Sequence, residues 1–355
     1  MKAIAPRGQR WVIFSLALFA RYLVFLDVFH RQGFDPVLRF GPDGLEFNGM
    51  ARSLIEGRGF ADRAFILRPP LWPMTVAGVY LVGGIHPTFA LLLNAAIGAL
   101  TAVVTYHFVK RLSGDSRVAF AAGLFVALDP GVLAVDVSLL ADTLFNLLVT
   151  LALLFFVRFL TVGPRRPVNA WLSAASCALA ALARPGGINF TIALAATLIF
   201  LRWRWWRWAL IYVGLIVLTY VGWSYRNYAY TGIFEYSTIG PYDLLFYRSV
   251  SAVSHGEGRP PAAVAADFAR EIERRLGKDP SVITEDNAVG WPDNLYPPNA
   301  ARYRVMQDLV NEHLFRYPLW LVLVMPVSLV RMLAYEYMLA ITVPPWMQIV
   351  VNAVF

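Results

Sequence analysis

The side chains able to do chemistry fall at a handful of places along the chain. Gly41-Pro42-Asp43-Gly44-Leu45-Glu46 sets two carboxylates three residues apart. They open a segment in which Leu45, Met50, Leu54 and Ile55 follow helical spacing. Asp43 there is either the N-cap of a short amphipathic helix or a carboxylate held ready to take a proton. Glu46 completes the spacing of a capping box, which favours a structural role for it. Asp136 and Asp142 bracket Val-Ser-Leu-Leu-Ala at the mouth of a long apolar run. Each either caps a helix in the interface or marks function, because charges beside membrane spans are costly. Three cations stand at the ends of apolar segments: Arg68 before Pro69-Pro70, Arg184 before Pro185, and Arg226 before Asn227. Such an arginine either snorkels to lipid headgroups or binds a phosphate, whose oxygens fit the planar guanidinium fork. Together these residues are equipped to hold a phosphate and to deprotonate a hydroxyl. Other chemistries lack their signatures. The sequence has no Gly-rich phosphate loop, no His-Glu-x-x-His and no nucleophile elbow. Its five histidines are scattered, and its one cysteine, Cys177, excludes a disulfide framework or a cysteine-based zinc site.

Membrane-spanning helices must position these residues. Apolar residues make up 58% of the 355, charged ones only 15%, and the mean hydropathy is +0.55. A soluble domain carries about 25% charged residues, so this chain cannot cover a globule in water. The net charge of +8 does not point to nucleic acid, because the cations cluster at the ends of apolar segments, where they set topology. Lys2, Arg7 and Arg10 place the N-terminus in the cytoplasm, and Trp11–Phe29 reads as a retained first span. Pro87–Val109 brings Lys110-Arg111 back to the cytoplasm only if the apolar segment Pro69–Ile85 lies along the membrane without crossing. Further spans are expected at Val118–Leu133, Leu139–Leu160, Ala170–Ala183, Ile188–Leu201, Trp208–Tyr225, Leu319–Leu333 and Leu339–Phe355. The block Arg202-Trp-Arg-Trp-Trp-Arg207 suits the cytoplasmic interface. The expected fold is thus an all-α polytopic membrane protein of about nine spans. It forms a single domain over residues 1–355, with a first extracytoplasmic loop over 30–86 and a second large one over 228–316.

Several stretches, in order, resemble the C-type glycosyltransferases, multi-spanning enzymes that use polyprenyl-phosphate sugars and include protein O-mannosyltransferases and aminoarabinose transferases. Asp43, then Ala51-Arg-Ser-Leu-Ile-Glu-Gly-Arg-Gly-Phe60, then Arg68-Pro-Pro-Leu-Trp-Pro73 resemble the family's first outer loop. Leu128-Asp-Pro130 with Ser138-Leu-Leu-Ala-Asp142 resembles its second, and Ala183-Arg-Pro185 its Thr/Ala-Arg-Pro. Arg226-Asn227 through Tyr242 is similar to the opening of its later outer loop, and Ala300–Pro318 to the helix that re-enters the membrane. Phe47 stands where a tyrosine is common and Asp142 where a glutamate is common.

The resemblance implies transfer of a monosaccharide from a polyprenyl-phosphate donor to an extracytoplasmic lipid, glycan or protein, with inversion at C1, in a bacterial inner membrane. Asp43 would be the general base and Asp142 would orient hydroxyls. Arg68, Arg184, Arg226 and Tyr242 would hold the donor phosphate, with Glu46 and Asp136 as secondary candidates. No cofactor is expected: a divalent metal is compatible with this architecture but is not favoured for monosaccharide transfer. Membrane lipids are expected partners and nucleic acid is not. Two other readings share the composition: a lipid or lipid-linked-sugar transporter, and a catalytically inactive scaffold subunit. Broken half-helices or two similar halves would favour the transporter, and the sequence shows neither. Intact outer-face carboxylates weigh against the scaffold.

Overall fold

A computed structural model describes residues 6–36, 43–323 and 326. Among these residues every regular element is helical. The chain separates into two compact units, Met1–Val221 and Gly222–Phe355, with the boundary inside a helix.

The first unit contains α1 (Pro6–Gln32), α2 (Asp43–Ile55), α3 (Leu71–Gly83), α4 (Pro87–Ser113), α5 (Ser116–Leu128) and α6 (Pro130–Asp136). It continues with α7 (Asp142–Val162), α8 (Val168–Ala183), α9 (Gly186–Leu201) and the start of α10 (Trp206–Thr231). Proline and glycine set several of these limits. Pro87 occupies the first turn of α4, where its missing N–H costs nothing, and Gly114 ends that helix in the left-handed conformation, φ 74°. Asp129 accepts a hydrogen bond from the Val132 N–H and starts α6 at Pro130, so α5 and α6 meet at a 56° bend.

Among the described residues, four helices are long and apolar enough to cross a membrane: Gly8–Gln32, Pro87–Ser113, Asp142–Arg165 and Trp203–Thr231. The bent α5–α6 pair makes a fifth if it counts as one span. The chain is a multi-pass membrane protein. The other expected spans differ for identifiable reasons. Helices α8 and α9 have 16 residues each, so each reaches only about 24 Å against a hydrocarbon core of about 30 Å. Helix α3, over the segment expected to lie along the membrane, has 13 residues. The expected spans Leu319–Leu333, beyond its first turn, and Leu339–Phe355 lie outside the described residues.

Small residues let the helices approach closely. Ala17 of α1, Ala99 and Ala102 of α4, and Ala119 and Ala127 of α5 are buried together with Ile13 and Tyr106. Ala152, Phe156 and Phe159 of α7 pack with Ala170, Ala174 and Cys177 of α8 and with Leu194 and Leu198 of α9. Cys177 is therefore a packing residue, and burial pushes its availability to solvent to nothing.

The second unit takes up the end of α10, then α11 (Ile239–Tyr242), a π-helical turn over Asp243–Ser249, and α12 (Val250–Glu257). It continues through α13 (Pro261–Arg275), α14 (Pro292–Leu295) and α15 (Ala300–His313). The stretch expected as a polar loop has its own core: Phe246, Val253, Val264, Phe268, Ile272, Met306 and Leu309 are buried against one another. Arg302 and Glu273 form an ion pair at 2.7 Å inside this unit, with side chains only 1% and 3% exposed.

Candidate active site

The candidate site is built from helix ends. Asp43 is the first described residue of helix α2 and is already helical, and the residues before it, 37–42, lie outside the described residues. Arg68 arrives 25 residues later, after a short 3₁₀ turn over Arg63–Ile66 and immediately before Pro69-Pro70. Its guanidinium spans both carboxylates of α2. Nη2 donates to Asp43 Oδ1 at 2.7 Å and Nε donates to Glu46 Oε2 at 2.8 Å. The same guanidinium lies 5.6 Å from the ring centre of Phe47, within reach of a cation–π attraction. Glu46 is the more enclosed carboxylate, its side chain 10% exposed against 38% for Asp43. The local spacing pointed to a capping box for Glu46, but a charged partner far along the chain is the stronger acceptor-seeking group. Its extended network makes Glu46 an integral part of the site.

The second pair comes from the joins between longer helices. Asp142 is the first residue of α7, and Arg184 is the extended residue between α8 and α9, halted there by Pro185. Arg184 Nη1 donates to Asp142 Oδ1. Gly187 permits this tight join: a Cβ there would collide with the backbone of Ala180 and Ala181. Burial, and then the Arg68 guanidinium, push the Arg184 pKa down, while Asp43 pulls it back up. The two ion pairs therefore sense each other, and five expected residues form one charged cluster: Asp43, Glu46, Arg68, Asp142 and Arg184.

Asp136 is placed elsewhere. It is buried against Arg21 of α1, which donates to it from Nε at 2.8 Å and from Nη2 at 2.5 Å. Arg21 also donates to the carbonyls of Ala17 and Ala127, so the pair ties α1 to the α5–α6 bend. A Cβ on Gly98 of α4 would strike both partners, which accounts for glycine at that position. Arg21 was not singled out in the sequence, although an arginine in the middle of an apolar span calls for a buried carboxylate.

Arg226 and Tyr242 lie in the second unit. Arg226 sits between the rings of Trp223 and Tyr230, at 5.2 and 4.5 Å from their centres, and donates to Asn227 Oδ1 at 2.8 Å. Asn227 is fully buried and donates to the Glu235 and Tyr236 carbonyls, which fixes the end of α10. Tyr242 is part of the core of that unit; its hydroxyl donates to the Val289 carbonyl, and burial raises its pKa. Among the described residues, no three His, Cys, Asp or Glu side chains are grouped as ligands for one metal ion.

Chemically, the cluster in the first unit offers two guanidiniums to an anion and three carboxylates to hydroxyl groups. No curated protein and no solved structure matches the chain. A family model does, over residues 67–224, which include Arg68, Asp142 and Arg184 but not Asp43, Glu46, Arg226 or Tyr242. That model, which covers less than half of the chain, is of the dolichyl-phosphate-mannose-protein mannosyltransferase family, in the C-type glycosyltransferase superfamily, and the match supports a membrane glycosyltransferase of that class.

Proposed function

We propose that this glycosyltransferase moves one sugar from a polyprenyl-phosphate donor to a hydroxyl of an acceptor outside the cytoplasm, with inversion at C1 and Asp43 as general base. The observation that carries the reading is the joined charge cluster, in which each guanidinium is already matched to a carboxylate. Arg68 is held by Asp43 and Glu46, and Arg184 by Asp142. A donor phosphate competes for the same N–H groups. As it takes them, it releases Asp43 and Asp142 from their partners, and an unpaired carboxylate is the better base.

In the proposed step Asp43 accepts the acceptor's hydroxyl proton while that oxygen attacks C1 from the face opposite the phosphate. The C1–O bond breaks, and its electron pair leaves on the phosphate monoester. A phosphate monoester, with a second pKa near 6, departs without protonation, so one carboxylate is enough where glycoside hydrolysis uses two. Arg184 and Arg68 neutralise the charge that grows on the leaving group. Asp142 orients sugar or acceptor hydroxyls. Tyr242 and Asp136 are given no role in this step: the Tyr242 hydroxyl donates to the Val289 carbonyl, and Asp136 accepts from Arg21.

The test is turnover by purified protein with a panel of α- and β-linked polyprenyl-phosphate sugars, followed by NMR assignment of the product's anomeric configuration. One donor should be consumed with its configuration inverted. A retained configuration, or transfer only from a sugar nucleotide, would refute the reading.

A further inference from the structure

The opposite end of the same bundle carries a second charged site. His107, Lys110 and Arg111 from the last turns of α4, Arg158 and Val162 from the end of α7, and Arg166 and Asn169 from the turn into α8 line a cavity of about 550 Å³. Arg158 is 16 residues beyond Asp142 on α7, about 24 Å along the helix axis. The cavity is therefore separate from the cluster around Asp43.

Its lining has four permanent cations and no carboxylate. Among the described residues none of Lys110, Arg111, Arg158 and Arg166 forms an ion pair. The contacts they do make are with neutral groups. Arg111 donates from Nε and Nη2 to the Thr161 hydroxyl at 3.2 and 2.7 Å, and Lys110 donates to the Tyr106 hydroxyl at 3.4 Å. The guanidinium of Arg158 lies beside the Phe155 ring. Asp115, the next acidic residue along the chain from α4, is engaged in capping α5. Elsewhere in this unit the arginines of interest, Arg21, Arg68 and Arg184, are each answered by an aspartate. Four like charges around a pocket of ligand size repel one another until an anion enters. Membrane proteins commonly fill basic pockets at helix ends with anionic headgroups, each nearby cation contributing about 1 kcal/mol.

We infer that this cavity is a phosphate-binding site, and that its occupant is the headgroup of an anionic phospholipid in the leaflet at this end of the bundle. Arg158 and Arg166 would grip the phosphate oxygens with their forks. Lys110 would add a point charge, and Asn169 and His107 would bond headgroup oxygens. The chains of the lipid would run along the apolar surfaces of α4 and α7. The site would fasten together three helix ends that no ion pair joins.

Native mass spectrometry and thermal unfolding of the purified full chain test this with three probes: phosphatidylglycerol, phosphatidylcholine and inorganic pyrophosphate. Phosphatidylglycerol should be retained and raise the Tm of the wild type, and phosphatidylcholine should do neither. Arg158→Gln/Arg166→Gln should bind phosphatidylglycerol roughly thirtyfold more weakly, as expected for two cations at about 1 kcal/mol each. Arg202→Gln/Arg204→Gln removes the same charge outside the cavity and should bind within about threefold of wild type. If the first pair does not fold, Lys110→Gln/Arg166→Gln carries the same expectation. Protection by pyrophosphate but not by phosphatidylglycerol would keep the phosphate site and overturn its lipid occupant. Equal protection by phosphatidylcholine, or unchanged binding in the cavity variants, would overturn the site itself.

Discussion

Asp43→Asn separates catalysis from support more sharply than any other single change. The substitution keeps the shape of the side chain and removes its charge, so it loses the Arg68 Nη2 bond at 2.7 Å as an ion pair. Arg68 is not orphaned, because Nε still donates to Glu46 at 2.8 Å. The Asp43 side chain is 38% exposed, and water screens a pair so placed. Its loss should cost about 0.5–1 kcal/mol of stability. Against a typical margin of about 5–15 kcal/mol, the variant remains folded. Removing a general base, by contrast, lowers the rate by roughly 10²–10⁴-fold, or about 2.7–5.5 kcal/mol of barrier. The stability and rate effects thus differ severalfold in free energy. Glu46→Gln should show the reverse balance. Its side chain is 10% exposed, so it should lose about 1–3 kcal/mol of stability and less of the rate. The assay pairs single-turnover transfer from a polyprenyl-phosphate sugar with thermal unfolding of the same preparations. Asp43→Asn turnover within about threefold of wild type, together with a lowered Tm, would refute the general-base assignment and leave Asp43 as a partner that holds Arg68.

Arg184→Lys keeps the charge beside Asp142 but loses the planar fork, so it should weaken donor use about tenfold, and Arg184→Ala more, with acceptor preference unchanged; equal kinetics in the lysine variant and wild type would remove the phosphate role. Topology is testable with little background, because the native Cys177 is fully buried: Ser281→Cys should react with an impermeant thiol reagent on intact cells and Ser113→Cys should not, and the reverse pattern would invert the proposed sidedness. Arg302→Met should destabilise the second unit by about 3–5 kcal/mol, since it strands the buried Glu273, and Arg302→Met/Glu273→Met should recover most of that loss in urea titrations; no recovery would mean that the pair does not act as a unit.

What the sequence made legible was mainly what local rules govern. Apolar run length located the long helices, although the expected ends at Val109 and Tyr225 fall short of the observed Ser113 and Thr231. The alternation of cations also singled out the segment of α3 as different from a span. The residues of the charged cluster could be named individually, because Asp43, Arg68, Asp142 and Arg184 each stand beside a proline, a glycine or a span end. Their pairing was not legible. Arg68 meets Asp43 across 25 residues and Arg184 meets Asp142 across 42, and no periodic pattern encodes contacts at such distances. The same holds for Glu46: its spacing from Asp43 is local information, whereas its partner Arg68 is not. Two other features had left a signal. Val264, Phe268 and Ile272 repeat every four residues along α13, which marks a helix with one buried face inside the stretch read as a polar loop. Arg21, in the middle of the first span, called for an acidic partner.

The Arg21–Asp136 pair also constrains how the protein is made. Its members are separated by 115 residues, and a ribosome adds about 5–20 residues each second, so Arg21 waits roughly 6–23 s for its counter-ion to be synthesised. Throughout that interval α1 carries an uncompensated guanidinium, at an insertion cost of about 2.5–3.5 kcal/mol. The first helix should therefore be less firmly committed to the bilayer until α5 and α6 emerge. A nascent chain arrested before Asp136 should have an α1 that carbonate extracts, and one arrested well beyond it should not. On that outcome the pair would act as a clasp that closes late, fixing the first helix only once Asp136 has been made.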